Sequence, residues 1–195
     1  MSLSWGAVGR AKQGQSVSGD IYFLDEYAEG CVLAAMIDGL GGGEEAERAA
    51  RVAAQTLKEH PHYPLQELIR HAHAAMQATR GAVIGLLRLE LASNQASYVG
   101  VGNIGVQVYS RQPIKPISKN GILGFRLPTL LELRYVYDPG DLFVLYSDGV
   151  TSHFAQDNRI DLKQAPQHLA KQILNIYGKH TDDATVLVMK TMADV

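Results

Sequence analysis

The 195-residue sequence contains a single cysteine, Cys31. That excludes an intrachain disulfide framework and any cysteine-based zinc cluster, and its place in an apolar run predicts a buried, inert thiol. No stretch reaches the ~20 consecutive apolar residues that cross a bilayer, and the opening Met1-Ser2-Leu3-Ser4-Trp5 lacks the basic-then-apolar order of a signal peptide. An excess of one charge is also missing: 18 Lys and Arg stand against 20 Asp and Glu, a net charge of −2, with the basic residues scattered. No nucleic acid and no membrane is therefore expected as a partner, and the expected location is cytoplasmic. Repeats, low-complexity tracts and linkers are absent too, so one domain over 1–195 is expected. What is present is a globular composition, 46% hydrophobic and 19% charged, on a chain long enough to bury a core.

The hydrophobic pattern divides the chain. A short strand is expected around Trp5 to Arg10. Ile21 to Tyr27 and Cys31 to Ile37 then form β-rich runs around Ala28-Glu29-Gly30, the pattern of a hairpin. Ala46, Ala49, Ala50, Ala53 and Leu57 recur at helical spacing after Glu44 and Glu45, acids suited to the positive end of a helix, and the alanines allow close approach to a sheet. His60-Pro61-His62-Tyr63-Pro64 interrupts, and Leu65, Leu68, Ile69, Ala72, Ala75 and Met76 mark a second helix ending before Gly81. Ala82 to Leu91, Gln95 to Val101 and Ile104 to Tyr109 read as an antiparallel meander. Leu131 to Tyr137 alternates, Asp138-Pro139-Gly140-Asp141 turns, and the apolar Leu142 to Tyr146 predicts a central strand covered on both faces. A helix over Ala165 to Tyr177 and a strand over Thr185 to Met189 close the chain. The class is α+β, with two sheets packed between helix layers.

Four aspartates lie at strand edges. Asp20 precedes a strand in Ser18-Gly19-Asp20, Asp38 and Asp148 follow apolar strands as Asp-Gly, and Asp182 comes just before the last strand. Aspartate beside glycine commonly makes a turn, but four at strand edges can converge at one end of a sheet sandwich. Such an edge suits Mg²⁺ or Mn²⁺, hard cations that take oxygen ligands and retain water. The chemistry it supports is phosphoester hydrolysis by a metal-activated water, without a protein nucleophile. The glycines after Asp38 allow close backbone approach, and Gly39 offers a carbonyl.

The ordered series Ser18-Gly19-Asp20, Asp38-Gly39-Leu40-Gly41-Gly42-Gly43, Gly100-Val101-Gly102-Asn103, Pro139-Gly140-Asp141 leading to Ser147-Asp148-Gly149, and Asp182-Asp183-Ala184-Thr185 resembles the metal-dependent type 2C protein Ser/Thr phosphatases. Within them it is most similar to the small bacterial SpoIIE-like and RsbX-like branch, and the compact length to the RsbX type. The resemblance implies a four-layer α-β-β-α sandwich of two mainly antiparallel sheets and two Mn²⁺ or Mg²⁺ ions. It implies that Asp38 bridges the ions, Gly39 gives its carbonyl to the first, Asp20 holds that ion's waters, and Asp148 and Asp182 complete the second. Asp183, where many relatives have Asn, would position water or backbone behind them. The implied substrates are phosphoserine or phosphothreonine proteins of stressosome type, notably STAS-domain proteins. The alternatives are a catalytically silent phosphoprotein-binding module of the same fold, or a phosphatase of another anti-sigma-antagonist partner.

Departures from that pattern narrow the expectation. Gln15 stands where eukaryotic members carry an Arg for substrate phosphate, which leaves the metals, Lys12 or backbone amides to hold it. Leu40 replaces a His proposed as general acid, so protonation of the leaving group falls to metal-bound water. Asn103 and Ser152 replace two Asp of a third metal, so two ions are expected. Gly100 to Gly105 satisfies G-x-G-x-x-G, but a strand follows where a dinucleotide site needs a helix. His60, His62, His71 and His73 are read as solvated, since His71 and His73 point in different directions on a helix. His153 and His180 flank the site in sequence and are read as loop residues with an open role in proton transfer.

Overall fold

The computed structural model describes residues 1–193. Strands β1 (Ser2–Arg10), β2 (Asp20–Ala28) and β3 (Cys31–Gly39) lead into helices α1 (Glu44–Glu59) and α2 (Leu65–Ala75). Strands β4 (Ala82–Glu90), β5 (Gln95–Val101), β6 (Gly105–Tyr109), β7 (Leu133–Val136) and β8 (Leu142–Tyr146) follow. A 3-10 turn at Ser152–Gln156, helix α3 (Pro166–Tyr177) and strand β9 (Ala184–Met192) complete the fold. One sheet has the order β2-β3-β4-β5-β7 and the other β1-β9-β8-β6. All pairings between these strands are antiparallel.

Side-chain alternation along the strands produces three cores. Leu33, Ala35 and Ile37 of β3 face α1 and α2, where Ala49, Ala53, Leu57, Leu68 and Ile69 cover them. Val32, Ala34 and Met36 of the same strand face the other sheet and meet Leu145, Leu187 and Met189. The far face of that second sheet, with Val144, Val186 and Val188, is covered by Leu169, Ala170 and Ile173 of α3. The layers are therefore helix, sheet, sheet, helix, the expected α+β sandwich. Strands with both faces covered read as unbroken apolar runs, and β8 is central as expected, between β9 and β6. None of the helices among the described residues is long and apolar enough to cross a membrane.

Several expectations need correction. The third run of the predicted meander leaves it: β6 pairs with β8 in the other sheet, and β7 takes the free edge of β5. The chain changes sheets at Gly102, where φ is +98° and a Cβ would lie 2.2 Å from Val83. A residue with a side chain fits neither that conformation nor that space. Asp20 and Asp38 lie inside β2 and β3 rather than outside them. Cys31 is free but half-buried, because its strand position falls at the hairpin end of the ladder. His62 and His71 are exposed, as expected, whereas His60 and His73 are half-buried, and the rings also make contacts. His60 stacks on Tyr63 and touches His71, His62 meets Tyr27 edge-on, and His73 Nδ1 accepts from the Gly124 N–H at 3.0 Å.

Helix α3 sits on β1 because Gly6 has no side chain: a Cβ there would stand 2.3 Å from the Gln167 backbone. The Gln167 amide then holds Ala7, accepting from its N–H at 3.2 Å and donating to its carbonyl at 2.9 Å. Gly6→Ala is expected to push the helix off the strand and to cost about 1–3 kcal/mol. Urea denaturation would read this as a lower midpoint; an unchanged midpoint would contradict the close contact.

Candidate metal centre

Asp20 and Asp38 are directly opposed in the β2–β3 ladder. Asp38 has the parity of Val32, Ala34 and Met36, which lie between the sheets. Both carboxylates therefore face the end of the inter-sheet space, on one face of the ladder. The Gly39 N–H donates to the Gly19 carbonyl at 3.0 Å. The α1 backbone also lies close against Gly39, since a Cβ there would be 2.0 Å from the Ala46 carbonyl oxygen.

The second sheet supplies the rest. The end of β8 and the start of β9 are neighbours, with Tyr146 paired to Val186. Ser147-Asp148 and Asp182-Asp183 thus leave that sheet side by side. Fully buried Ser147 joins the two sheets: its hydroxyl donates to Asp20 Oδ2 at 2.6 Å and accepts from the Thr185 N–H at 3.0 Å. Asp148 Oδ2 accepts from Asn103 Nδ2 at 2.7 Å, and its carbonyl from Lys179 Nζ at 2.8 Å. The buried Asp183 carboxylate accepts from the Lys12 and Gly19 N–H groups, each at 2.8 Å. Asp182 Oδ1 accepts from the Asp183 N–H at 3.0 Å.

Every aspartate singled out in the sequence thus belongs to one neighbourhood. Burial pushes the Asp38 carboxyl up to about 8, reinforced by the charges of Asp20, Asp148, Asp182 and Asp183. Burial likewise lifts Asp20 to about 7, against the hydrogen bonds from Ser147 and Thr185. Asp20 Oδ1 is buried with no hydrogen-bond partner. A repulsive carboxylate set with an orphaned buried oxygen and a nearby backbone carbonyl has the donor chemistry of a hard divalent cation site. Among the described residues, no three His, Cys, Asp or Glu side chains close around one point.

Around these groups, the Lys12 ammonium and the Gln15 amide lie over the glycine turn after Asp38. A Cβ at Gly42 would stand 2.6 Å from Lys12 Nζ and 3.3 Å from Gln15 Nε2. His153 and His180 are exposed, and neither ring bonds to these aspartates among the described residues. Ser147 carries no motif of its own in the sequence; the signal available is that a serine closing an apolar strand must satisfy its hydroxyl when buried. Asn103 is more than the replacement of an acidic ligand, since its amide holds Asp148.

The SpoIIE family, Stage II sporulation protein E, matches residues 28–192. The fold is similar to a chain solved under the description of the bacterial stressosome as a modular system adapted to control secondary messenger signaling. That chain has a TM-score of 0.89 at 31% identity, over 97% of this chain and 100% of that one. It is also similar to RsbX in complex with magnesium, with a TM-score of 0.84 at 21% identity over 97% and 95% of the two chains. The catalytic domain of the serine threonine protein phosphatase PstP in complex with two manganese ions gives 0.77 at 18% identity, over 98% and 99%. The last two likenesses concern the fold alone. No curated protein matches the sequence.

The raised carboxyls have a consequence for stability. Folded Asp38 keeps its proton to about pH 8, whereas its ordinary value is 3.8. Between those values the folded chain binds more protons than the unfolded one, so stability falls as pH rises through the window and levels off above it. In chelator, the thermal midpoint is expected to drop between pH 5 and pH 8, and Asp38→Asn to remove much of that drop. Parallel pH profiles for the parent and the variant would contradict this.

Proposed function

The chain belongs to the SpoIIE family, and from that premise we propose that it is a metal-dependent protein Ser/Thr phosphatase of the type 2C class, with 1–195 read as one phosphatase domain. The observation that carries the proposal is the opposed pair Asp20 and Asp38, with Asp148, Asp182 and Asp183 brought to the same end of the two sheets. The chemistry that two Mn²⁺ or Mg²⁺ ions supply at such a site is a water acidified towards neutral pH and positive charge for the phosphoryl oxygens.

The chain's own groups divide the remaining work. Asp38 would be shared between the two ions, with the Gly39 carbonyl on the first and Asp148 and Asp182 on the second. Asp20, held by Ser147 at 2.6 Å, would orient water on the first ion. Asp183 is already engaged by two backbone N–H groups, which supports a role in fixing the Lys12 and Gly19 loop. The Lys12 ammonium beside the glycine turn would hold substrate phosphate in place of the Arg that Gln15 replaces. Among the described residues no imidazole hydrogen-bonds to these aspartates, and the proton for the leaving group would come from water.

We place the protein in the RsbX-like branch, acting in the cytoplasm on phosphoserine or phosphothreonine of stressosome-type proteins, STAS-domain proteins among them. The 31% identity to a chain from the stressosome study supports this substrate class. Mn²⁺-dependent phosphate release from a phosphoserine peptide and from p-nitrophenyl phosphate tests the activity. Asp38→Asn and Asp148→Asn are expected to lose at least about a hundredfold, the upper end of losses for residues that merely support a ligand. Full activity in those variants, or none in the parent with either metal, would leave a silent phosphoprotein-binding module as the better description.

A further inference from the structure

A cleft of about 590 Å³ opens beside the candidate metal centre, lined by Leu40, Val83, Asn103, Asn120, Ile122 and Arg126 among others. It is continuous with the centre at two points. Leu40 follows the Asp38-Gly39 pair, and Asn103 hydrogen-bonds Asp148. None of the residues lining the cleft is acidic. A second cation stands close by: a Cβ at Gly41 would lie 2.9 Å from Arg80 Nη1.

The arm that carries Arg126 is pinned rather than loose. The Gly102 N–H donates to the Lys119 carbonyl at 2.8 Å, and the Lys119 N–H to the Gly100 carbonyl at 3.0 Å. Leu123 and Ala82 exchange both backbone hydrogen bonds, at 2.8 and 3.2 Å, and Ile122 and Arg126 exchange theirs at 3.0 and 2.9 Å. The Gly124 N–H is held by His73 of α2. At the tip, Phe125 is 78% exposed, although the turn that bears it is fixed at both ends. An exposed aromatic next to an exposed arginine on a fixed turn has no packing role here. Such a turn suits recognition, since little order must be gained when a ligand binds.

We propose that this cleft receives the polypeptide segment adjoining the phosphoserine of a protein substrate, and that Arg126 selects an acidic side chain on that segment. The inference rests on the phosphatase reading above. Leu40 and Asn103 join the cleft to the candidate metal centre, so the residue flanking a phosphoserine held there would meet them. Arg126 lines the same cleft, and its guanidinium has no ion-pair partner among the described residues, so it favours a carboxylate over a neutral or basic side chain. A small aryl phosphate carries no such flanking side chain.

The test uses the whole chain with Mn²⁺, p-nitrophenyl phosphate, and phosphoserine peptides carrying Glu, Ala or Lys on one side or the other of the phosphoserine. The parent is expected to prefer Glu over Ala on one of the two sides by about fivefold in kcat/KM. Arg126→Ala should abolish that preference, and Arg126→Glu should transfer it to the Lys peptide, with p-nitrophenyl phosphate turnover unchanged in both. The inference is overturned if the parent does not discriminate, if Arg126→Ala keeps the preference, or if p-nitrophenyl phosphate turnover falls in step. A parent that hydrolyses neither kind of substrate would sink the phosphatase reading itself, and this inference with it.

Discussion

Two carboxylates facing each other across adjacent strands are a destabilising arrangement unless something positive or a proton lies between them. Asp20 and Asp38 are in that arrangement, and their register is set by the whole length of the β2–β3 ladder. The ladder cannot slip to relieve it. A shift by one residue would turn Leu33, Ala35 and Ile37 away from the helices and Val32, Ala34 and Met36 away from the other sheet. The hydrophobic core therefore holds the repulsion in place. Helix α1 adds to the confinement by resting its Ala46 carbonyl against Gly39, directly after the second aspartate.

The rest of the centre depends on that pair being reached from the other sheet. Ser147 spans from β8 to Asp20 and to the Thr185 amide of β9, so the spacing of the two sheets and the position of Asp20 are coupled through one hydroxyl. Asp183 couples the start of β9 to the loop between β1 and β2 through Lys12 and Gly19. A carboxylate set divided between two sheets in this way has a geometry as fixed as the packing between them. That packing is close, with Phe143, Leu145, Leu187 and Met189 fully buried.

Much of this was legible in the sequence because local chemistry and global position agree. The alanine-rich spacing from Ala46 to Leu57 gave a helix that lies where a narrow helix was needed, and the unbroken run Leu142–Tyr146 gave a central strand. The Asp-Gly pairs after apolar strands marked the end of the sandwich that carries the carboxylates. Other features were not legible, because they depend on pairing rather than on pattern. Nothing in Gly105–Tyr109 says that it pairs with β8 instead of β5, since alternation is the same in either sheet. The direct opposition of Asp20 and Asp38 needs the hairpin register, which a bulge between Glu26 and Ala28 also shifts. The arm that carries Arg126 has almost no regular structure, and backbone bonds to residues far along the chain hold it, so no periodicity reveals it.

The central claim is that the opposed aspartates form one wall of a two-ion cage. Anomalous scattering at the manganese edge, from crystals grown with Mn²⁺, addresses it directly. Two peaks are expected at the end of the inter-sheet space, one in contact with both the Asp38 carboxylate and the Gly39 carbonyl, the other reached by Asp38 together with Asp148 or Asp182. Peaks elsewhere with none touching Asp38, or a third fully occupied site, would contradict it.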